Sequence, residues 1–438
     1  KIKILKFGGS SVGSVERIKH VARLISDEQP KVVVLSAMSG TTDALAGIAA
    51  KLSGGDMDGA LDDAARLENK YSAVADALYR RAGSAGKAKK HIENSFSLVR
   101  EICRKPFSAA GEKIILAQGE LIVTRLMYLY LAETGVHAAL LPAVDFIRTD
   151  KCGEPDMRFI RKHARKAING YPLNRIFITQ GYICRNASGE IDNLQRGGSD
   201  YTASLLGAEL DACEIQIWTD IDGMHNNDPR FVDNTRPIRT MSFDEAAELA
   251  YFGAKILHPA TIQPCKDHGI AVLLKNTMDP EAPGTTISNR DDDTKSFHAV
   301  AAKDGITVIR IHSARMLMAY GFLRKVFEIF EQYRTPIDMI TTSEVAVSLT
   351  VDNDSHIDEI VRDLSALGSI EIERGNSIVC VVGRMEHGDA GLAARVFECV
   401  RGVPIKMISY GASHRSLAIL IDTEHKKRTL QCLNDGLF

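Results

Sequence analysis

The sequence predicts an α/β layered domain followed by a small α+β module used twice. Over the first two-thirds of the chain, short apolar runs alternate with amphipathic stretches, the pattern of parallel strands and their crossover helices. The last third repeats itself. Val326-Phe327-Glu328 followed by Thr335-Pro336-Ile337-Asp338-Met339-Ile340-Thr341 recurs as Val396-Phe397-Glu398 and Val403-Pro404-Ile405-Lys406-Met407-Ile408-Ser409. The period of about 70 residues is too long for a short-repeat solenoid. Each copy reads as helix, strand, strand, with a further strand before the helix at 306–311 and 377–382. Between the two regions, residues 288–296 carry no apolar side chain and read as a linker.

The chain has 438 residues, 45% of them hydrophobic and 25% charged, which is ordinary for a multidomain globular protein. A formal net charge of -2 argues against nucleic acid as a main partner. No uninterrupted apolar run approaches ~18 residues, so no membrane association is expected. The first residues enter a strand rather than a secretory apolar segment, and a cytoplasmic location is expected. Eight cysteines without a C-x-x-C pair predict reduced core thiols and no metal centre.

Residues 2–7 form the first expected strand, ended by Gly8-Gly9-Ser10-Ser11, and Val15, Ile18, Ala22 and Ile25 line one face of the next helix. Val32–Leu35 is a buried-strand run entering the small, polar loop Ser36–Thr42, at the sheet edge where ligands of α/β proteins collect. Residues 58–104 read as amphipathic helix, mainly a solvated excursion. An apolar helix over about 113–134 carries Glu120 after Gly119, an acid that either faces solvent or meets a ligand amine. Further strands are expected at 138–141, 175–179, 214–218 and 270–274. Thr219-Asp220 falls at a strand's carboxyl end, as a phosphate or metal neighbour would. Ser242-Phe243-Asp244-Glu245 is a capping box opening a helix with Ala246, Leu249 and Phe252 on its apolar side and Lys255 near its end.

The stretch Gln195-Arg196-Gly197-Gly198-Ser199-Asp200-Tyr201-Thr202-Ala203 is the strongest anion-site candidate. Paired glycines admit close backbone approach, and Ser199 is expected to cap a helix striped by Ala203, Leu206 and Leu210. A helix N-terminus beside an arginine suits a phosphate or carboxylate, although an ordinary loop-to-helix turn is spelled similarly. Neither G-x-x-x-x-G-K-[ST] nor G-x-G-x-x-G follows the first strand, so a phosphate site here is neither a P-loop nor a Rossmann site.

Taken together, Lys6-Phe7-Gly8-Gly9-Ser10-Ser11-Val12, Arg196–Thr202, Trp218-Thr219-Asp220, Asp228-Pro229-Arg230 and Phe252–Pro259 resemble the aspartate kinase family. The resemblance spans essentially the whole chain, and the duplicated module looks like that family's paired ACT domains. It implies an amino-acid-kinase fold, with a mostly parallel central sheet flanked by helices, over residues 1–290. A regulatory region follows at 297–438, with one ACT module at about 313–389 nested within 297–312 plus 390–438. The implied reaction is transfer of the ATP γ-phosphoryl group, with Mg²⁺ carried by the phosphates, to the β-carboxylate of L-aspartate.

By the same resemblance, Lys6 with the backbone of Phe7, Gly8 and Gly9 would hold the transferring group. Lys255, followed by Ile256, would neutralise the nucleotide phosphates, and Asp200 would orient the lysines. Arg196 with Gly197 and Ser199 would take the substrate α-carboxylate, Glu120 the α-amino group, and Ser39 and Thr42 would line the pocket. Thr219, Asp220 and Arg230 would bracket ATP. Family members often place a tyrosine in the loop after the Trp-Thr-Asp motif; His225 stands there in this sequence, which predicts a weaker or pH-dependent nucleotide contact. Met316, Gly321, Phe322, Leu323, Ile337, Asp338, Thr342, Ser343 and Glu344 resemble the effector site of the lysine-inhibited, monofunctional branch. A nicotinamide-binding domain after Phe438, as in the fusion with homoserine dehydrogenase, is not expected. The expected assembly is a homodimer or homotetramer through the ACT modules. Competing readings are a threonine-inhibited aspartate kinase, a kinase of another amino acid such as glutamate, and a catalytically weak amino-acid sensor.

Overall fold

The computed structural model describes residues 1–194, 197–252, 257, 259–290, 296–314, 320–385 and 390–438. Up to residue 290, the described strands are β1 (Lys3–Phe7), β2 (Lys31–Leu35), β3 (Ala138–Leu141), β4 (Ile176–Gln180), β5 (Ile183–Arg185), β6 (Ile191–Asn193), β7 (Glu214–Thr219), β8 (Thr240–Ser242), β9 (Val272–Asn276) and β10 (Thr285–Ser288). The α-helices of this region are α1 (Val15–Ile25), α2 (Thr41–Ser53), α3 (Met57–Leu78), α4 (Ala82–Cys103), α5 (Ala109–Glu133), α6 (Met157–Asn169), α7 (Gly198–Glu209), α8 (Phe243–Tyr251) and α9 (Pro259–His268).

Eight strands form one sheet in the order β3-β4-β2-β1-β7-β9-β10-β8, parallel from β3 to β9. β10 runs antiparallel to β9, and β5 and β6 form a separate hairpin. Every residue of β2 and β4 is buried, which is why those strands read as continuous apolar runs. The chain builds outward from β1 on both sides, with β2 on one flank and β7 on the other. The carboxyl end of β1 is therefore a topological switch point, where open α/β sheets bind ligands.

One helical expectation changes. α3 and α4 are not a solvated excursion: Leu67, Tyr71, Phe96 and Val99 are buried in the same core as Phe7, Leu35 and Ile48. Ala60, Ala64 and Ala88 on the same helices are also in that core, and such small residues leave little apolar signal beside the charged outer faces. α5 is long and apolar enough, by length and composition, to cross a membrane, and among the described residues it is the one helix that is. Its apolar residues are interrupted by Gln118, Glu120 and Thr124, and most of its apolar length is buried inside the protein, so it reads as a core helix. All eight cysteines are free thiols.

The remaining elements are β11 (Phe297–His312), α10 (Phe322–Gln332), β12 (Ile340–Thr342), β13 (Ala346–Val351), α11 (Ile357–Leu364), β14 (Ser369–Gly383), α12 (Leu392–Cys399), β15 (Met407–Tyr410), β16 (Ser416–Asp422) and α13 (Lys426–Leu437). Their strands make a six-stranded sheet, β12-β13-β11-β14-β16-β15, with the repeat visible as two copies of strand, helix, strand, strand. Each copy has its own core: Ile309, Phe322, Val326 and Leu349 in the first, and Val379, Leu392, Val396, Leu417 and Ile419 in the second.

The chain divides into two compact units, and the division is not a single cut near residue 290. The first unit comprises Lys1–Met224, Arg239–Phe243 and Leu257–Asp291; the second comprises His225–Ile238, Asp244–Ile256 and Asp292–Phe438. The two early segments of the second unit are held by polar contacts. Val300 donates its N–H to the Asn226 carbonyl at 2.8 Å, and the Asn226 amide donates to Asn434 Oδ1 at 3.1 Å. From α8, Glu245 meets His298 Nδ1 at 2.6 Å, and Glu248 accepts from the Ser416 hydroxyl at 3.1 Å.

Candidate functional site

The loops at the switch point are locked to one another by backbone bonds. Gly8 donates to the Trp218 carbonyl of β7 at 3.3 Å, Ser36 to the Phe7 carbonyl at 3.1 Å, and Gly181 to the Leu35 carbonyl at 3.0 Å. Ser39 donates to the Gly9 carbonyl at 3.2 Å, and a Cβ on Gly9 would stand 2.9 Å from the Ala37 carbonyl oxygen. Glycine is thus required where the loops after β1 and β2 touch. Phe7 stacks on Trp218 with centroids 5.6 Å apart, fixing β1 against β7 beneath these loops.

Lys6 reaches from β1 to Asp200 in the first turn of α7, with Nζ 2.7 Å from Oδ1. Their side chains are only 11% and 18% exposed, so the pair is far less screened than a surface ion pair. The N-cap of α7 is Gly197, with φ +67°, and the helix opens at Gly198. Ser199 therefore lies inside the first turn and does not cap it, contrary to expectation; the left-handed glycine turns the chain directly into the helix. The Ser199 hydroxyl instead accepts from the Ser36 hydroxyl at 2.9 Å, and a Cβ on Gly181 would come within 2.3 Å of the Ser199 side chain. Of the expected helix stripe, Ala203 and Leu206 are buried and Leu210 is the C-cap.

Glu120 projects from α5 and is 3% exposed. Ala37 donates its N–H to Oε1 at 3.2 Å, whereas Oε2 is buried with no hydrogen-bond partner among the described residues. Burial pushes this carboxyl up to about 7, with the Ala37 bond acting the other way. Gly119 permits the arrangement, because a Cβ there would lie 2.7 Å from Ala37 Cβ and hold α5 off the loop. The exposed-helix alternative for Glu120 is thereby removed. Ser39 and Thr42 are exposed, the latter in the first turn of α2.

Thr219 closes β7 and holds the next turn, its hydroxyl accepting from the Ile221 N–H at 3.3 Å, while Asp220 is exposed. His225 and Arg230 belong to the second unit. There, His225 Nδ1 lies 2.9 Å from the Thr235 hydroxyl, and Arg230 forks onto Asp228 with contacts of 2.6–3.1 Å. Arg196, Lys255, Ile256 and Met316 lie outside the described residues, as does the end of the Lys255 segment from Gly253.

Within the regulatory sheet, Gly321 is the N-cap of α10 with φ +77°, Phe322 is buried, and Leu323 is exposed. Ile337 packs on the first repeat's core; Thr342, Ser343 and Glu344 are exposed, with Ser343 accepting from the Ala346 N–H at 3.1 Å. The Asp338 side chain is only 3% exposed. Its Oδ1 lies 2.8 Å from Lys303 Nζ and accepts from the Tyr251 hydroxyl at 3.0 Å, while Oδ2 has no partner among the described residues. Lys303 also meets Asp352 at 2.8 Å. Burial raises the Asp338 carboxyl above its ordinary range.

Sequence reasoning took Ser36 only as part of the Ser36–Thr42 loop and singled out none of Tyr182, Lys303 and Tyr251. Tyr182 follows the strand-ending Gln180-Gly181 and holds a left-handed φ of +68°, its N–H bonded to the Thr202 hydroxyl of α7 at 3.0 Å. The glycine just before it was the available signal. Lys303 and Tyr251 have none, because their partner Asp338 is 35 and 87 positions away.

Comparison with known proteins agrees with this arrangement. The sequence model of the amino acid kinase family matches residues 1–276, and that of an ACT domain matches 379–437. Lysine-sensitive aspartokinase 3 of Escherichia coli (strain K12) is 34% identical over 450 residues, covering 100% of this chain and 99% of the relative. The crystal structure of E. coli aspartokinase III in complex with aspartate and ADP (R-state) superposes with a TM-score of 0.87 at 34% identity, covering 100% of both chains. That enzyme's complex with lysine and aspartate (T-state) gives 0.83 at 34% identity, covering 100% of this chain and 99% of the other. With a switch-point site built from its own strand ends and this likeness running the length of both chains, the chain belongs to the aspartokinase family.

Proposed function

We propose that this protein is an aspartate kinase, transferring the γ-phosphoryl group of ATP to the side-chain carboxylate of L-aspartate under feedback control by lysine. The observation that carries the reading is Glu120: a buried carboxylate at the switch point with one oxygen lacking a partner among the described residues. A substrate ammonium supplies both the missing hydrogen bond and the compensating charge that burial otherwise denies. Arg196 takes the α-carboxylate as a planar fork, with the Gly197–Ser199 turn beside it, and Ser39 and Thr42 close the pocket.

An oxygen of the substrate's side-chain carboxylate attacks the γ-phosphorus, the bond to the β–γ bridging oxygen breaks, and ADP leaves with that electron pair. Such a transfer needs positioning and charge neutralisation, and no covalent enzyme intermediate. Lys6 meets the transferring group, held in place by Asp200 at 2.7 Å, while the backbone at Phe7, Gly8 and Gly9 lets the phosphate approach. Lys255 and Ile256, with Thr219, Asp220, His225 and Arg230, are assigned to the nucleotide on the strength of the family resemblance. Mg²⁺ would travel with the ATP phosphates and add to their charge neutralisation, while Asp200 holds Lys6.

The relative's complexes with aspartate and ADP, and with lysine and aspartate, support the substrate pair and the effector. Residues 1–290 are assigned the catalytic role and 297–438 the regulatory role; His225–Ile238 and Asp244–Ile256, which belong to the second compact unit, keep their part in the catalytic role. Asp338 is the proposed seat of the effector's ammonium, with Met316, Gly321, Phe322, Leu323, Ile337, Thr342, Ser343 and Glu344 forming the rest of that site. Assembly as a homodimer or homotetramer through the ACT modules, in the cytoplasm, completes the proposal. ADP release measured with aspartate, alone and with lysine or threonine at millimolar levels, tests it. Suppression by lysine is expected. Suppression by threonine alone would reassign the branch, and no aspartate-dependent release from folded protein would overturn the reading.

A further inference from the structure

We propose that the Tyr251 hydroxyl is the contact through which occupancy of the Asp338 site reaches the catalytic lysine segment. The inference rests on the effector reading given above, and it concerns contacts within the second unit alone.

Glu245, Glu248 and Tyr251 recur at three-residue spacing, so one face of α8 carries all three. Each meets the regulatory region. Glu245 contacts His298 Nδ1 at 2.6 Å and lies 3.8 Å from Arg415, and Glu248 accepts from Ser416 at 3.1 Å. Tyr251, in the last turn, donates to Asp338 Oδ1 at 3.0 Å, and its ring lies 4.8 Å beneath Lys303 Nζ. The first two contacts go to the second repeat and its flank, and the third goes to the first repeat. Beyond Tyr251 the chain reaches Lys255 in four residues.

The charge balance makes Asp338 sensitive to a ligand. Among the described residues, two carboxylates, Asp338 and Asp352, share the single ammonium of Lys303, and Asp338 Oδ2 is buried without a partner. The cluster is one positive charge short. An arriving ammonium neutralises it and draws on the carboxylate that Tyr251 is bonded to, so the hydrogen bond holding the end of α8 changes with occupancy. A ligand shifts a conformational equilibrium only through such differential contacts. Tyr251 is accordingly a positioning residue, not a catalytic one.

The test is Tyr251→Phe in the full chain, which removes one oxygen and keeps the ring. L-Lysine binding is followed by calorimetry and inhibition by steady-state rates. The expected result is retained lysine binding with the ratio of uninhibited to inhibited rate falling at least about fivefold toward one, the low end of ordinary allosteric coupling. Bound lysine with undiminished inhibition overturns the tyrosine's role and leaves the effector reading standing. Wild-type protein that neither binds nor responds to lysine overturns both. Hydrogen exchange of the α8 amides in wild-type protein, with and without lysine, needs no variant. Altered exchange is expected at 246–251, and unchanged exchange under saturating, inhibiting lysine refutes the proposal even if the variant fails to fold.

Discussion

Replacing Glu120 with glutamine separates what this side chain costs the fold from what it gives the site. The carboxyl is held at about 7 against an ordinary value of 4.5 by burial on α5. Because the folded state keeps its proton to higher pH than the unfolded chain does, this group's contribution to stability falls as pH rises from about 4.5 through about 7, then levels off. At ~1.4 kcal/mol per unit, the ionised carboxylate costs the ligand-free fold on the order of 3 kcal/mol above neutrality. Glu120→Gln removes the charge and keeps the acceptor facing the Ala37 N–H. The variant should melt at a higher temperature than wild type at pH 8 and near the wild-type temperature at pH 5. Its aspartate affinity should fall by about 30-fold or more, the usual consequence of truncating one partner of a buried charge pair. Thermal melting at the two pH values and calorimetric titration with aspartate measure both arms. Unchanged aspartate affinity, with no relative gain in stability at pH 8, would refute the reasoning.

Three further outcomes follow from the same geometry. Lys6→Ala and Asp200→Ala should each lower turnover by on the order of 10²-fold with melting behaviour retained, since each removes half of a pre-positioned charge pair; steady-state rates at saturating ATP check this. The KM for aspartate should fall as pH rises from 6 to 8, as Glu120 loses its proton near 7 and becomes competent to pair with an ammonium, and a KM flat across that range would contradict it. Gly181→Ala forces a Cβ to within 2.3 Å of Ser199, so it should destabilise the first unit by about 1–3 kcal/mol and weaken aspartate binding, read by denaturant titration and KM.

Much of this was legible in the sequence because the relevant signals are local. The run Val32–Leu35 declares a doubly covered strand, and the recurrence of Val-Phe-Glu with Pro-Ile-x-Met-Ile declares the duplicated module; of the expected linker at 288–296, Ser288 closes β10 and 291–295 lie outside the described residues. Read from the residues alone, Lys6, Gly8, Gly9 and Asp200 are separate motifs, and only the family resemblance links Asp200 to Lys6; the sheet order brings the two to one ion pair. What failed was whatever depended on tertiary context. The charged residues of α3 and α4 suggested exposure because alanine, which makes much of their buried stripe, carries little hydrophobic signal. Ser199 has the composition of a cap, but the left-handed Gly197 took that position. The packing of His225–Ile238 and α8 with the regulatory sheet depends on contacts such as Asn226 with Asn434 and Glu245 with His298, whose separations exceed any local pattern.

The central claim is phosphoryl transfer to the side-chain carboxylate of aspartate, and its product is an acyl phosphate that hydroxylamine traps. Wild-type protein with ATP, Mg²⁺ and hydroxylamine should form aspartyl hydroxamate in proportion to the ADP released, with L-glutamate at the same concentration giving at least about 10²-fold less. Glutamate trapped as readily as aspartate, or ADP released without any hydroxamate, would contradict the account.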